Sequence, residues 1–380
     1  MRDYNRPDLN HLNQGTQPLD RLDVFGNWDA VPLGWYALCD SKEIKKNKIK
    51  TYKIMGQQVV VWRDESGATH ALDAFCPHMG LNLTQGKVEG RQVRCKFHGW
   101  RFNEKGSCTH IPCAESPKKS AKTQSYATQE QYGLIWIYPD EVAPKPVFIP
   151  HDIRGKELDW WHMKPLKRKC HPHAPMINGI DAQHVKAVHD INIVPEGSIR
   201  MRDEETLEIY LGSKIPEGTT TLGKLARWIL GPYYAYINSF VDGNIALLNT
   251  VKDVKLFGKW KAPECNIVYS IRYFERGESS ILPICVTEKR RGFLARLRTK
   301  FVLLLTKIGF EVLKNDEGDE FFEDLRFRHD NLLEEFDKPI KTLIDFLNSK
   351  PLSKWSTTQR KVIINKEKQS KSSFNQPMDC

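Results

Sequence analysis

The chain lacks any stretch approaching the roughly 18 consecutive apolar residues that a membrane-spanning helix requires. Its oiliest runs, around 228–240 and 301–310, are broken by polar residues. The opening Met1-Arg2-Asp3-Tyr4-Asn5 is not a basic start leading into an apolar core, so neither a signal nor a transit peptide is expected. No internal repeat is present, and no flavin or nicotinamide domain is visible. The positive charge comes with no nucleic-acid module, so nucleic acid is not an expected partner. Cysteine is sparse and odd in number, nine residues spread from Cys39 to Cys380. A disulfide framework is therefore not expected, whereas metal ligation is open. These features together predict a cytoplasmic, reducing setting.

What is present is an ordinary globular composition: 380 residues, 40% hydrophobic and 27% charged, with net charge +10. Such a chain has material for two or three domains. The basic residues cluster at 42–50 and 289–300. They form either a solvated surface or a face that steers a negatively charged protein partner.

Residues 1–27 are polar and aperiodic and read as an arm. From Trp28 to Tyr138 short apolar runs alternate with turns such as Glu65-Ser66-Gly67 and Glu104-Lys105-Gly106, the pattern of a small all-β domain over 28–138. A proline-containing connector follows at 139–150. The second domain, 151–348, mixes strands at about 206–211, 245–251 and 266–273 with a helical segment near 177–191 and long amphipathic helices over 294–347. Residues 349–380 read as a polar, basic and frayed tail. The expected class is α+β.

The sharpest signal is Cys76-Pro77-His78, sixteen residues, then Cys95-Lys96-Phe97-His98. Two thiolates and two imidazoles on two short loops can hold one iron through sulfur and a second through nitrogen. A tetrahedral zinc site is the competing use of these ligands, but zinc ribbons space their cysteines C-x2-C. Cys76-Pro77-His78-Met79-Gly80 with Cys95-Lys96-Phe97-His98-Gly99-Trp100 closely resembles the Rieske [2Fe-2S] domain, in its oxygenase rather than its respiratory version. Cys108 and Cys113 are expected to be buried thiols outside the cluster.

A second constellation is Asp181, His184 and, after four residues, His189. Two histidines and a carboxylate with open positions suit a non-haem ferrous ion. On a regular helix His184 and His189 stand about 140° apart, so a π-bulged turn is expected there. Asp181 has two possible roles, metal ligand or support for a ligand. D-x2-H-x4-H resembles the mononuclear iron site of Rieske non-haem iron oxygenases. That resemblance implies a bridge from His98 of one subunit through Asp181 to His184 of the next, hence a head-to-tail homotrimer with one [2Fe-2S] cluster and one Fe(II) per subunit. The family's third ligand is a downstream carboxylate. On a helical projection of 315–324 Asp319 lies about 90° from the centre of the apolar stripe, nearer than Asp316, Glu323 or Asp324, with Glu320 opposite. The resemblance also selects Asp319; a solvated acidic face is the competing reading. His171 and His173, taken as an H-x-H in a strand, are expected to line or support the site entrance.

Such a pair of centres implies dioxygen reduction at the mononuclear iron, with electrons arriving singly through the cluster. They come from a separate ferredoxin or flavin reductase, whose docking the basic patches would speed if it is acidic. The run Phe97-His98-Gly99-Trp100-Arg101-Phe102 with residues 108–115 resembles oxygenases of the cholesterol 7-desaturase and 3-ketosteroid 9α-hydroxylase types. This implies hydroxylation or desaturation of a hydrophobic ring compound. The aromatic residues Trp228, Tyr233, Tyr234, Tyr236 and Phe240 either line its pocket or belong to the core. Two rival functions are oxidative dealkylation of an aromatic compound and a plain electron carrier whose second site is degenerate.

Overall fold

The computed structural model describes residues 24–189, 192–194, 199–203, 206–214, 228, 233–241, 246–252, 255–261, 265–289, 291–294, 296–297, 299–301, 303–304, 306–307, 332 and 336–356. Strands in the first third are short and carry alternating apolar residues: β1 (Tyr36–Asp40), β2 (Ile49–Ile54), β3 (Gln57–Arg63), β4 (Thr69–Asp73), β5 (Lys87–Glu89), β6 (Gln92–Arg94), β7 (Arg101–Phe102), β8 (Cys108–His110), β9 (Ser125–Gln131) and β10 (Leu134–Tyr138). They form an antiparallel six-stranded sheet in the order β1-β10-β9-β4-β3-β2 and a small four-stranded sheet, β5-β6-β7-β8. Strand β3 is buried on both faces, so its valines follow one another without a polar break. Val60 and Trp62 pack under the small sheet with Leu72, Leu83 and Phe102, while Val59 and Val61 join the main core.

The second half is built on one large antiparallel sheet. Its strands are β11 (Leu158–His162), β12 (Leu166–Arg168), β13 (Asn192–Val194), β14 (Ile199–Asp203), β15 (Thr206–Lys214), β16 (Tyr233–Val241), β17 (Ala246–Lys252), β20 (Cys265–Glu275) and β21 (Glu278–Glu288), with a two-stranded ribbon, β18 (Lys255–Leu256) and β19 (Trp260–Lys261), between the last two pairs. Short helices α1 (Ala174–Asn178) and α2 (Ala182–His189) precede β13, and α3 (Lys338–Asn348) precedes the last described residues, 349–356. In α3, Ile340, Leu343, Ile344 and Leu347 recur at helical spacing and turn one stripe inward. The mixture of sheets and helices is the expected α+β class. Among the described residues no helix is long and apolar enough to cross a membrane.

One core joins the two halves. Tyr36, Ile135 and Ile137 of the six-stranded sheet meet Leu207, Ile209, Phe240, Ile271 and the α3 stripe. The Met55 N–H donates to the Tyr273 carbonyl at 2.9 Å, and Lys53 pairs with Glu275 at 2.7 Å. The connector is pinned as well: Tyr132 Oη donates to the Phe148 carbonyl at 2.6 Å and Trp35 Nε1 to that of Lys145 at 2.8 Å.

Three expectations need correction. Residues 349–356 are not a frayed tail: the Leu33 N–H donates to the Pro351 carbonyl at 2.8 Å, and Trp355 is buried against Tyr36 and Tyr126. Apolar burial outweighs the polar character of the surrounding sequence. The rest of that segment, and the arm up to residue 23, lie outside the described residues. Cys113 is exposed and Cys108 half-buried, because β8 is the edge of the small sheet; among the described cysteines none is in a disulfide. His171 and His173 are not in a strand but in the turn that enters α1.

These two histidines hold the arm. His173 Nδ1 accepts from the Gly26 N–H at 3.1 Å and its ring stacks on Phe25, while His171 sits edge-on to Trp28. On the other side Asn348 Oδ1 accepts from the Val24 and Phe25 N–H groups. Burial pushes the His171 pKa down to about 3, a hydrogen bond to the Asn27 backbone opposing it slightly. Burial, reinforced by His171, pushes His173 well below the usual imidazole range. Both stay neutral when folded but protonate below about pH 6.5 when unfolded. Their contribution to stability is therefore intact above that pH and lost below it, at up to about 1.4 kcal/mol per pH unit for each. The urea midpoint of the wild type should fall more steeply between pH 7 and pH 5 than that of His171→Gln/His173→Gln; parallel profiles would show that the pair is not the titrating unit.

Candidate metal centres

The two ligand loops are conformational copies of each other. In the first, the Cys76 N–H donates to the Leu81 carbonyl at 2.9 Å and the Gly80 N–H to the Cys76 carbonyl at 2.9 Å. In the second, the Cys95 N–H donates to the Trp100 carbonyl at 2.8 Å and the Gly99 N–H to the Cys95 carbonyl at 3.1 Å. Each turn closes through a left-handed glycine, Gly80 at φ 76° and Gly99 at φ 70°, a conformation that a side chain strains. A Cβ on Gly99 would also come within 3.0 Å of Pro112.

The repeated turn places cysteine inward and histidine outward. Cys76 and Cys95 are buried above Val60, Trp62 and Phe102, whereas His78 and His98 are exposed. The imidazoles face each other with Nδ1 atoms 3.1 Å apart, His78 stacked on Trp100 and His98 on Phe97. Two nitrogens on one metal ion stand about 3.0–3.4 Å apart when each bond is about 2.1 Å. Burial is the main cause that raises the Cys76 thiol to about 11; the His78 N–H opposes it, while the neighbouring Cys95 adds to it. Such thiols stay protonated until a cation displaces the proton. Among the described residues no three Cys, His, Asp or Glu side chains converge on one point. The four donors come as a buried sulfur pair and an exposed nitrogen pair, which suits two bridged irons.

The second constellation is built on α2. Asp181 is its N-cap: Oδ1 accepts from the Gln183 and His184 N–H groups, each at 2.9 Å. His184 stands in the first turn, half-buried, with Nε2 shielded from solvent, and His189 is the last helical residue. The expected π-bulge is not there, because α2 is α-helical from Ala182 to His189. The interruption lies before the helix, at Gly179-Ile180-Asp181, where Asn238 of β16 donates to the Gly179 carbonyl at 2.8 Å. Imidazole is a donor that suits a ferrous ion, but without the bulge regular helix geometry sets positions 184 and 189 about 140° apart, and the His189 side chain is not described. Asp319 and its acidic neighbours lie outside the described residues.

Two polar residues at this centre went unread in the sequence. Asn238, fully buried, props the turn before α2. Asp337 is also buried, and it accepts from Gln183 Nε2 at 2.9 Å, with no cap made to α3. Their positions, 59 and 154 residues from their partners, carry no local signal. Of the aromatic residues considered for a pocket, Phe240 is core and Trp228 is exposed beside Phe257. The side chains of Tyr233, Tyr234 and Tyr236 are not described.

The paired loops stand on a small antiparallel sheet within residues 34–128, and those residues match the Rieske [2Fe-2S] domain family. The chain is 33% identical over 190 residues to the oxygenase component of 3-ketosteroid-9-alpha-monooxygenase from Rhodococcus rhodochrous, a match covering 48% of each chain. It is 30% identical over 167 residues to cholesterol 7-desaturase nvd of Bombyx mori, covering 43% of this chain and 37% of that one. The chain thus spans half or less of the curated relatives it matches. Among solved structures its fold is shared by the oxygenase of carbazole 1,9a-dioxygenase in its reduced complex with ferredoxin, at TM-score 0.60 and 17% identity over 88% of this chain and 93% of that one. Dicamba monooxygenase with non-heme iron and dicamba has it too, at TM-score 0.54 and 17% identity over 85% and 98%.

Capping and any further role of Asp181 can be separated. Asn caps as well as Asp does, whereas Ala does not. Asp181→Asn should unfold in urea like the wild type, and Asp181→Ala should lose about 1 kcal/mol. Equal loss in both would mean that the carboxylate charge, and not the cap, stabilises α2.

Proposed function

We propose that this chain is the terminal oxygenase component of a Rieske-type system, using O2 and electrons from a separate ferredoxin or flavin reductase to hydroxylate or desaturate a hydrophobic ring compound. The observation that carries the reading is the pairing of buried thiols and facing imidazoles on two copied turns. It is supported by a fold shared with oxygenase subunits over most of the chain. The names of the sequence relatives support a steroid-like ring as substrate, and the ferredoxin complex of a structural neighbour supports a ferredoxin as donor.

When bound, the cluster supplies single electrons and the ferrous ion supplies the site at which dioxygen reacts. The chain's residues do the rest. Cys76 and Cys95, buried, and His78 and His98, exposed, would together hold the cluster, and the two imidazoles would give it contact with the surface. His184, His189 and Asp319 would hold the mononuclear ion. Asp181 has one carboxylate oxygen committed to the cap, so its Oδ2 is the atom that accepts from His98 of a neighbouring copy and from the His184 ring. His98 turns Nδ1 toward His78, which leaves Nε2 to make that contact. The exposed Phe75, Met79 and Phe97 around the imidazoles are an apolar rim suited to burial in a homotrimer.

Anaerobically purified protein should be coloured and, once reduced, paramagnetic. Iron should persist at the second centre after the cluster signal is removed, and ring compounds should accelerate oxygen uptake. A colourless, zinc-only preparation would overturn the cluster. Iron confined to the cluster would instead favour an electron carrier. Asp181→Asn should keep both metals yet slow electron arrival about 10- to 100-fold, and unchanged coupled turnover would remove Asp181 from the path.

A further inference from the structure

The helical residues of 293–307 present an apolar face to solvent. At about 100° per residue, Phe293, Leu294, Leu297, Phe301 and Leu304 fall within one arc of about 100°. All five are exposed, Phe293 at 81% and Leu294 at 72%. A surface helix normally turns its apolar stripe inward. Here a different face does the packing, about 150° away: Thr299 is buried and Leu303 packs on Ile267 and Cys285. Between the two faces stand Arg296, Lys300 and Lys307, all exposed. From Lys289 to Phe310 the sequence contains no Asp or Glu. The Lys307 ammonium lies 5.3 Å from the centre of the Trp161 ring, so this exposed aromatic on β11 borders the same surface.

We propose that this helix is an interfacial membrane anchor, laying its Phe/Leu stripe on an anionic bilayer surface. A helix of this kind buries its apolar face at the headgroup boundary and sets its basic residues against lipid phosphates. Each basic residue close to an anionic leaflet strengthens binding about five-fold. A tryptophan at the rim belongs at that depth. Glu157 pairs with Lys289 and Arg291 at the start of this segment, but Arg296, Lys300 and Lys307 beside the stripe leave it net basic, which favours an anionic surface over a second copy of this chain, whose identical basic face would repel it. An enzyme so placed would meet ring compounds dissolved in the bilayer, but the inference goes beyond the oxygenase reading and is tested without turnover.

The full chain should float with vesicles containing about 30% phosphatidylserine and bind them at least about ten-fold more tightly than phosphatidylcholine alone, less so as salt rises. Phe293→Gln/Leu294→Gln/Leu297→Gln, three exposed positions whose replacement leaves the core intact, should lose at least about ten-fold of that binding. Arg296→Glu/Lys300→Glu should lose the preference for the anionic lipid. Both variants should keep the wild-type fold and size, checked by circular dichroism and sedimentation. Wild type that ignores phosphatidylserine vesicles overturns the proposal, as does a triple variant that binds them undiminished. So does a triple variant whose assembly falls apart, which would assign the stripe to contact between copies.

Discussion

The cluster site depends on two turns being held as copies of one another. A cysteine thiol can reach the interior only if its own backbone N–H is satisfied, and each turn does this with a carbonyl five residues on. The left-handed glycine then closes the turn and frees the intervening histidine to face outward. Packing beneath is dense, with Val60, Trp62, Leu83 and Phe102 all buried, so neither turn can slide relative to the other. The packed sheet thus fixes where the two turns present their side chains. The buried sulfurs and exposed nitrogens make the site polar in one direction, from protected interior to reachable surface.

The same packing ties this site to the rest of the chain. Strand β3 contributes alternate residues to the floor under the loops and to the core shared with the large sheet, so the two halves meet through one strand. Around that core the chain ends are drawn in: the arm is clamped between two neutral histidines and Asn348, and residues 349–356 cover the six-stranded sheet. A neutral buried imidazole, His173, can accept the arm's Gly26 N–H without the desolvation cost a charge would impose. At the second constellation Asp181 caps α2 through one carboxylate oxygen. The cap fixes one oxygen, and that orients the other.

Much of this was legible in the sequence wherever the signal was local. Cys76 to Gly80 and Cys95 to Trp100 lie within single turns, so their spacing alone specified a paired donor set. The α3 stripe and the strands near 206–211, 245–251 and 266–273 were likewise readable from periodicity. The errors came where a long-range contact overrode local character. His171 and His173 look like strand residues, yet the arm packs them into a turn. The 349–356 segment looks like a tail, yet Trp355 finds Tyr36 and Tyr126 more than two hundred residues away. The expected bulge between His184 and His189 is replaced by a break at Gly179-Ile180-Asp181, which Asn238 stabilises from a distant strand.

The sequence by itself determined the chemistry: which residue types are present, that cysteine and histidine come in matched pairs, and that a carboxylate precedes two histidines by a few positions. Those are properties of neighbours along the chain, fixed by covalent spacing. Tertiary structure alone decided that the two thiols are buried together, that two Nδ1 atoms stand 3.1 Å apart, and that a Phe/Leu stripe faces outward while Thr299 faces in. The reason is that burial is a competition among all apolar surfaces for one core. Which stripe wins depends on what the whole fold brings alongside, and no local pattern contains that information.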